Sequence, residues 1–526
     1  MLTYFVIVPV LVAIFLYLFS SNYYSRIVAI MVQSVFVFFA FYLFLESRQG
    51  EIITAVGGYR GVLGITLRAD IISSSFVLLT AILFLIVAIY GLKEPSSKQY
   101  WLLMFIWEGL IIGVFLSGDF FNVFVLLEVA TLIVAILIMF VREKRSMFDG
   151  LIFLMINTVA IQFYLFGVGY LYMLTGTMDM AVSKEVIAGL DYSLLILPYT
   201  LIMTATIFKC ALMPLASWLP KVQGIPRAPT AVSAILSSLH VKCSLFLFIR
   251  FQEVFSPIAV SELFLIIGLA TAVTSIIMAF VQTDIKLILA YSSTAQIGLI
   301  MVGLNIYGTY ATAGSLYHII NHAVFKAALF LGAGVLVRMY KTRDVNKIGG
   351  LLKRSPLLTF ATLMPILGII GAPLFNGSIS KYFMMAETSP LLYWVLVIIN
   401  FGTITVYVKY AAMIFGKDTS DKSVHIDANK LGSVAMLGIM CFCLGVFGVW
   451  LTPFLFGMDV SLSIGGYLQK TGVFVLSLFA AIVFYRFFGK DQPLFVDIRN
   501  ANINFRGMCI SIGMFFAVML MVVGVM

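Results

Sequence analysis

Residues 205–250 read ATIFKCALMPLASWLPKVQGIPRAPTAVSAILSSLHVKCSLFLFIR. The stretch opens in apolar sequence yet carries Lys209 inside the run Ile207-Phe208-Lys209-Cys210-Ala211. Pro214 interrupts that run and Ser217-Trp218-Leu219-Pro220 ends it. Pro226 and Pro229 then lead into a second apolar segment, which holds His240 and Lys242 and stops at Arg250. An ionisable group at bilayer depth costs about 3 kcal/mol or more, so it persists mainly where it pairs or conducts. A proline break in a spanning helix frees backbone groups, which only protein or water can satisfy. Two lysines, a histidine and a broken helix therefore point to an ion path through a membrane.

The whole chain fits that setting. Of its 526 residues, 62% are hydrophobic and 11% charged, far from a soluble balance. Apolar runs of spanning length lie near 2–20, 27–45, 71–92, 101–117, 120–141, 151–174, 193–214 and 228–250. Others lie near 257–280, 286–305, 309–337, 357–388 (broken), 390–415, 432–456, 471–488 and 508–526, about sixteen spans. The first, Leu2 to Phe19, has neither a basic n-region nor a small-residue cleavage site and is read as a retained span. The five cysteines are scattered through apolar sequence and are expected to be buried small residues, with no metal or iron–sulfur framework.

The net charge of +10 does not point to nucleic acid, because the basic residues sit in short loops and alternate. Arg26, Lys93, Lys98, Arg142, Lys144, Arg145, Lys221 and Arg227 fall in odd-numbered loops. The eleventh, with Arg338, Lys341, Arg343, Lys347, Lys353 and Arg354, is the most basic. Even loops are poorer or balanced, as where Arg48, Arg60 and Arg68 face Glu46, Glu51 and Asp70. The positive-inside rule then makes the odd loops cytoplasmic and turns the N-terminus outward. The break at Pro214 is echoed at Gly371-Ala372-Pro373-Leu374-Phe375-Asn376-Gly377, with Lys381 close behind. Proline and glycine are common in membrane helices, but two breaks with nearby lysines are the pattern of paired repeats around a transport path.

Other ionisable residues lie within spans. Glu128 must be protonated or paired with a cation from another helix, and Lys209 and Lys242 are available. Glu108 is a second intramembrane acid with no clear partner. Asp284 and Lys286 mark a helix end, and Ser292-Ser293-Thr294-Ala295-Gln296 brings small polar side chains into a span, more often helix–helix glue than conductors. His318, His322 and Lys326 stand at i, i+4 and i+8 on one helical face, about 6 Å per step. That spacing suits a water-bridged proton relay. Zinc is the competing reading, but no third ligand is evident and the lysine would repel a cation. His240 lies near Lys242, whereas His425 is in a polar loop and is read as solvated.

These residues resemble a known family. Gly118-Asp119…Asn122…Glu128, Lys209…Pro214…Trp218-Leu219-Pro220, Ala228-Pro229-Thr230-Ala231-Val232-Ser233-Ala234…Lys242…Arg250 and Lys286…Ala290-Tyr291-Ser292-Ser293 are similar to the antiporter-like subunits of respiratory complex I. They also resemble subunits of Mrp-type cation/proton antiporters and membrane-bound hydrogenases, the Mrp D-like branch above all. His318…His322…Lys326-Ala327 and Gly371…Pro373…Gly377…Lys381 extend the match over residues 60–415. The resemblance implies an all-α polytopic membrane protein of 14–16 transmembrane helices, with two inverted five-helix repeats, each containing a broken helix. Residues 1–100 would then be N-terminal helices, 101–255 and 256–415 the repeats, and 416–526 C-terminal helices, of which the span from Thr471 and the polar segment up to Arg506 extend beyond the family core and take no family role. It further implies that Glu128 pairs with Lys209, that Lys242 passes protons to Lys326, and that Lys381 stands toward the exit.

The expected function is that of a proton-translocating subunit in the cell membrane, with no cofactor or metal in this chain. Its expected partners are other membrane subunits, protons and, as a second candidate ion, sodium. A redox-driven complex, with iron–sulfur or nickel subunits, is the alternative setting. A subunit that itself binds quinone or a metal cluster would need ligands that the sequence does not show. A passive scaffold would leave five buried charges unexplained.

Overall fold

The computed structural model describes Met1 to Val525 apart from residues 20–22, 60–63, 95–96, 226–227, 417–425, 490–492 and 501–502. Arg60, Pro226, Arg227 and His425 lie outside the described residues. The chain is helical almost throughout, because only helices and closed barrels satisfy every backbone group within lipid. The first spans are α1 (Leu2–Phe19), α2 (Tyr23–Ser47), α3 (Ile71–Gly91), α4 (Lys98–Leu116), α5 (Phe120–Ile138) and α6 (Lys144–Thr175). After the short α7 (Met180–Ile187) come α8 (Tyr192–Lys209), α9 (Trp218–Gln223), α10 (Thr230–Ile235) and α11 (Val241–Val254). A π-helical turn, Leu236–His240, joins the last two into one span. The middle of the chain continues with α12 (Ser261–Val281), α13 (Ile285–Leu304), α14 (Thr309–Tyr340), α15 (Leu351–Arg354), α16 (Pro356–Ile370), α17 (Asn376–Met385) and α18 (Pro390–Ala411). It ends with α19 (Ala428–Val446), α20 (Gly448–Phe456), α21 (Ile464–Phe488), α22 (Pro493–Asn500) and α23 (Phe505–Val525).

Fifteen of the described helical segments are long and apolar enough to cross a membrane. The expected sixteenth is the pair α16 and α17, each too short to span alone. Four details differ from the sequence reading. The helix approaching the first break stops at Lys209, before Pro214. The run 432–456 is two helices that meet at Phe447. Strands β1 (Ile52–Ala55) and β2 (Thr66–Ala69) pair antiparallel in the loop after α2. Of the cysteines, Cys210, Cys243 and Cys441 are buried, but Cys443 is exposed and Cys509 half-buried.

The spans through Thr230–Val254 and Thr309–Tyr340 are almost wholly enclosed by other helices, whereas α21 and α23 are mostly bare. The polar side chains therefore concentrate where α10, α11 and α14 pass through the centre. Two short backbone bridges tie the ends of the neighbouring helices. Asp119 pairs with Asp179, and Asp284 with Asp344. Asp284 follows Asp119 by the same interval as Asp344 follows Asp179, and each of the four caps the N-terminus of the helix it precedes. The same pairing of capping aspartates thus recurs at one spacing along the chain.

Loop contacts sort the odd loops onto one face. Arg26 donates to the carbonyls of Leu92 and Glu94, Arg338 and Lys430 pair with Glu94, and Arg343 reaches Gly224 and Asp284. Even loops meet on the other face, where Arg68 pairs with Asp179, Arg250 with Asp70 and Lys184 with Glu253. Burial raises the Asp70 carboxyl, but the charge and hydrogen bond of Arg250 and the bonds from Ser73 outweigh it and leave Asp70 below the usual range. For Asp179 burial is likewise overcome, by hydrogen bonds from Thr66, Val182 and Ala181 and by the charge of Arg68.

Candidate functional site

The first break is held open by specific partners. α8 ends on Lys209, where helix-end carbonyls favour a cation. Trp218 Nε1 donates to the Phe208 carbonyl at 2.8 Å, and the Met213 N–H donates to Thr271 Oγ1 at 2.9 Å, so the freed backbone groups are satisfied. Lys209 Nζ donates to Thr131 Oγ1 at 2.8 Å. Thr131 and Glu128 share a face of α5, and Glu128 is the carboxylate whose charge reaches Lys209. No ion pair within 4.0 Å joins the two. Glu128 takes a long bond, 3.5 Å, from Thr158, and its Oε2 meets no protein partner. A cavity of about 1430 Å³ opens beside this break, with Met213, Pro214, Ser217 and Thr294 in its wall and Asp149 and Lys221 also lining it.

His240 and Lys242 lie at the π-helical turn. Such a turn leaves carbonyls without their usual partner, and Lys242 Nζ takes one of them, Ser237 O, at 2.6 Å. His240 Nδ1 accepts from Trp107 Nε1 at 3.4 Å, and the charge of Lys209 reaches it. Ser237 Oγ meets Ser293 Oγ at 2.8 Å, and Ser293 donates to the Leu289 carbonyl at 2.9 Å. That same carbonyl accepts from Lys326 Nζ at 2.9 Å. The two serine hydroxyls thus meet between the backbone carbonyls that hold the Lys242 and Lys326 ammonium groups.

Lys326 is fully buried at the middle of α14. Its Nζ also donates to Ser292 Oγ at 2.9 Å and Tyr407 Oη at 3.2 Å, and it stands 5.9 Å from the Tyr407 ring. Three oxygens and an aromatic face are a cage fit for a cation. One turn toward the even-loop face is His322, buried, with neither ring nitrogen bonded to protein. A further turn on, His318 bonds Ser380 Oγ at 2.8 Å through Nδ1 and Gln296 Oε1 at 3.0 Å through Nε2.

Ser380 belongs to the second break. Gly371 there has φ 79°, and a side chain on Gly377 would strike the Gly368 carbonyl, so glycine at both positions lets α16 and α17 approach end to end. Lys381 Nζ donates to the Ile369 carbonyl at 2.7 Å and to Asn400 Oδ1 at 2.8 Å. Each break therefore carries a lysine, Lys209 just before the first and Lys381 just after the second.

Of the expected residues, Lys242, His318, His322, Lys326 and Lys381 form one buried series around α14, and Glu128, Lys209 and His240 form a second group beside it. Glu108 stands apart, fully buried and bound at 2.5 Å by Gln33 Nε2. That partner comes from α2, too far along the chain for spacing to reveal. The Ser292–Gln296 group, read as glue, instead holds Lys326 and His318. Thr131, Ser237, Asn400, Tyr407 and Lys470 escape the sequence reading. Asn400 alone carries a signal, as an amide inside an apolar span. Among the described residues no three His, Cys, Asp or Glu side chains converge on a metal-sized site.

Comparison with known proteins adds an independent line. A family model described as NADH:quinone oxidoreductase/Mrp antiporter, TM, matches residues 117–406. The chain is 31% identical over 388 residues to the D-type subunit of the Na(+)/H(+) antiporter of Alkalihalophilus pseudofirmus, covering 72% of this chain and 78% of that one. It is 32% identical over 354 residues to the N-type subunit of the NADH-quinone oxidoreductase of Desulforudis audaxviator, covering 65% and 70%. A chain in the structure of the Mrp complex from Dietzia sp. DQ12-45-1b superimposes with a TM-score of 0.80 at 21% identity, over 91% of this chain and 99% of that one.

Proposed function

The chain belongs to the NADH:quinone oxidoreductase/Mrp antiporter transmembrane family, and on that premise we propose that it carries protons across the membrane along Glu128, Lys209, Lys242, Lys326, His322, His318 and Lys381. It is an antiporter-like subunit of the kind found in Mrp, complex I and hydrogenase-type complexes. His240, which the charge of Lys209 reaches, and Glu108, held off the series by Gln33, are additional candidates.

The observation that carries this reading is the contact of the Ser237 and Ser293 hydroxyls between the carbonyls that hold Lys242 and Lys326, which water can link to either ammonium group. Lysine suits the task because burial disfavours its charged form, so a modest electrostatic change loads or unloads a proton. Hydroxyls both donate and accept, so they relay protons as well as bind them. The unpaired nitrogens of His322 fit a water-bridged step between Lys326 and His318, since buried polar groups without protein partners are where bound water resides. The residue sets 101–255 and 256–415 act as inverted repeats: each holds five spans, an odd number, so the second enters from the opposite face. With odd loops cytoplasmic and the N-terminus outside the cell membrane, the even-loop face beyond Lys381 is the outlet.

Purification of the complex from native membranes, with mass spectrometry of its members, tests the setting. Small membrane subunits alone would make it a cation/proton antiporter, with sodium as the exchanged ion. Iron–sulfur or nickel-bearing partners would make it the pumping arm of a redox machine. Recovery of the chain with no partner would contradict both.

A further inference from the structure

The C-terminal helices bring an ionisable group that the path above does not use. α21 packs along α18, and its first two turns reach into the second break. Tyr467 Oη accepts from the Leu374 N–H at 3.2 Å and from Ser378 Oγ at 3.1 Å, satisfying the break's backbone as Thr271 does in the first. One turn further on, Lys470 Nζ donates to the Ser378 carbonyl and stands 6.0 Å from the Tyr382 ring. Ser378 and Lys381 are neighbours on one face of α17, three residues apart, and the charge of Lys381 reaches Lys470. Lys470 is felt as far as His318.

We infer that Lys470 is a further proton-carrying station of the path, beside Lys381 at its even-loop end. It rests on the proton path proposed above. Two features support a titrating role over a structural one. Among the described residues no carboxylate pairs with Lys470, so its ammonium has one carbonyl and one aromatic face to offset burial. A salt bridge would be the ordinary structural solution. Lys470 also lies within two turns of the start of α21, roughly 9 Å along the helix from the loops of that face, and so stands, like Lys381 near the end of α17, at the outlet end of the path. The titratable groups around it are Lys381 and Tyr382 on α17, Tyr467 on α21 and, deeper, His318 on α14.

The step is a single proton transfer. An N–H bond of the Lys381 ammonium breaks as one forms on the neutral Lys470 amine, relayed by the Ser378 and Tyr467 hydroxyls or by water. Lys381 is left as a neutral amine, ready to accept the next proton from the His318 side. Repulsion between two ammonium groups favours release from Lys470 to the even-loop face once Lys381 is reloaded.

The test compares Lys470→Arg and Lys470→Met with Lys326→Met in the purified whole complex, reconstituted in liposomes and followed by a pH-sensitive dye. Arginine keeps the charge and can donate to the Ser378 carbonyl, but it does not release a proton near neutral pH. Both Lys470 variants should assemble and lose transport by roughly 100-fold or more, the range for removing one proton-transfer group. Wild-type transport by Lys470→Arg would overturn the inference, because a fixed charge would then suffice. If Lys470→Met fails to assemble, Lys470→Arg decides alone. Loss in Lys326→Met with full transport in both Lys470 variants would sink this inference and leave the path standing. Full transport in Lys326→Met would sink the path itself.

Discussion

The hydroxyls of Ser237 and Ser293 lie 2.8 Å apart, and at that point the polar interior of the first half of the chain touches that of the second. On one side Ser237 offers its carbonyl to Lys242, and on the other Ser293 bonds the carbonyl that holds Lys326. The contact links a residue that holds Lys242 to a residue bonded to the carbonyl that holds Lys326, without the two lysines touching.

If that contact conducts, Ser237→Ala and Ser293→Ala should each slow proton transport several-fold without loss of the assembled complex. The double variant should be little worse than either single one, because the two hydroxyls act as a unit. Initial rates of dye quenching in reconstituted vesicles measure this. Additive losses would mean that the serines serve separate roles.

Thr131 is the only hydrogen-bond partner of the Lys209 ammonium among the described residues. Thr131→Val keeps the shape and removes the acceptor, leaving a buried charged donor short of a partner at a cost of about 1–3 kcal/mol. The expected result is a lower thermal unfolding temperature together with reduced transport. Glu128→Gln should abolish transport with the complex still assembled, since the carboxylate's charge reaches Lys209 across Thr131. Transport at the wild-type rate in Glu128→Gln would remove Glu128 from the path.

Much of this is legible in the sequence. Both breaks, nearly all spans and the lysines within them follow from apolar run length and from the cost of burying charge. What is not legible are the partners. Ser292 and Gln296 look like interhelical glue until α14 is placed against α13. Tyr407 is an ordinary aromatic in an apolar run until Lys326 is set beside it. The π-helical turn at Leu236–His240 has no composition signal, since its residues would fit an α-helix equally well. Lys470 lies at the edge of the segment to which no family role carries over, and only the docking of α21 on the second break gives it a neighbour.

Acid should loosen the even-loop face first. The folded-state pKa values of Asp70 and Asp179 are depressed, so their stabilisation is fully present above the ordinary carboxylate pKa and is lost as pH falls through the depressed one. Thermal stability should therefore drop on acidification below the usual carboxylate range. In an Asp70→Asn/Asp179→Asn variant, which keeps both helix caps and loses the two ion pairs, the neutral-pH stability should be lower by roughly 1 kcal/mol or less per pair, and the acid drop smaller. Scanning fluorimetry across pH measures both. An unchanged acid drop would place the responsible carboxylates elsewhere.

The central claim is that Lys326, at the middle of the buried series, carries the transported proton. Its most direct test is proton translocation by the intact complex bearing Lys326→Met, reconstituted in liposomes with a pH-sensitive dye. Methionine matches the length and apolar bulk of lysine but holds no proton. The expected result is a fully assembled complex with no proton movement above background. Wild-type translocation by that complex would contradict the account.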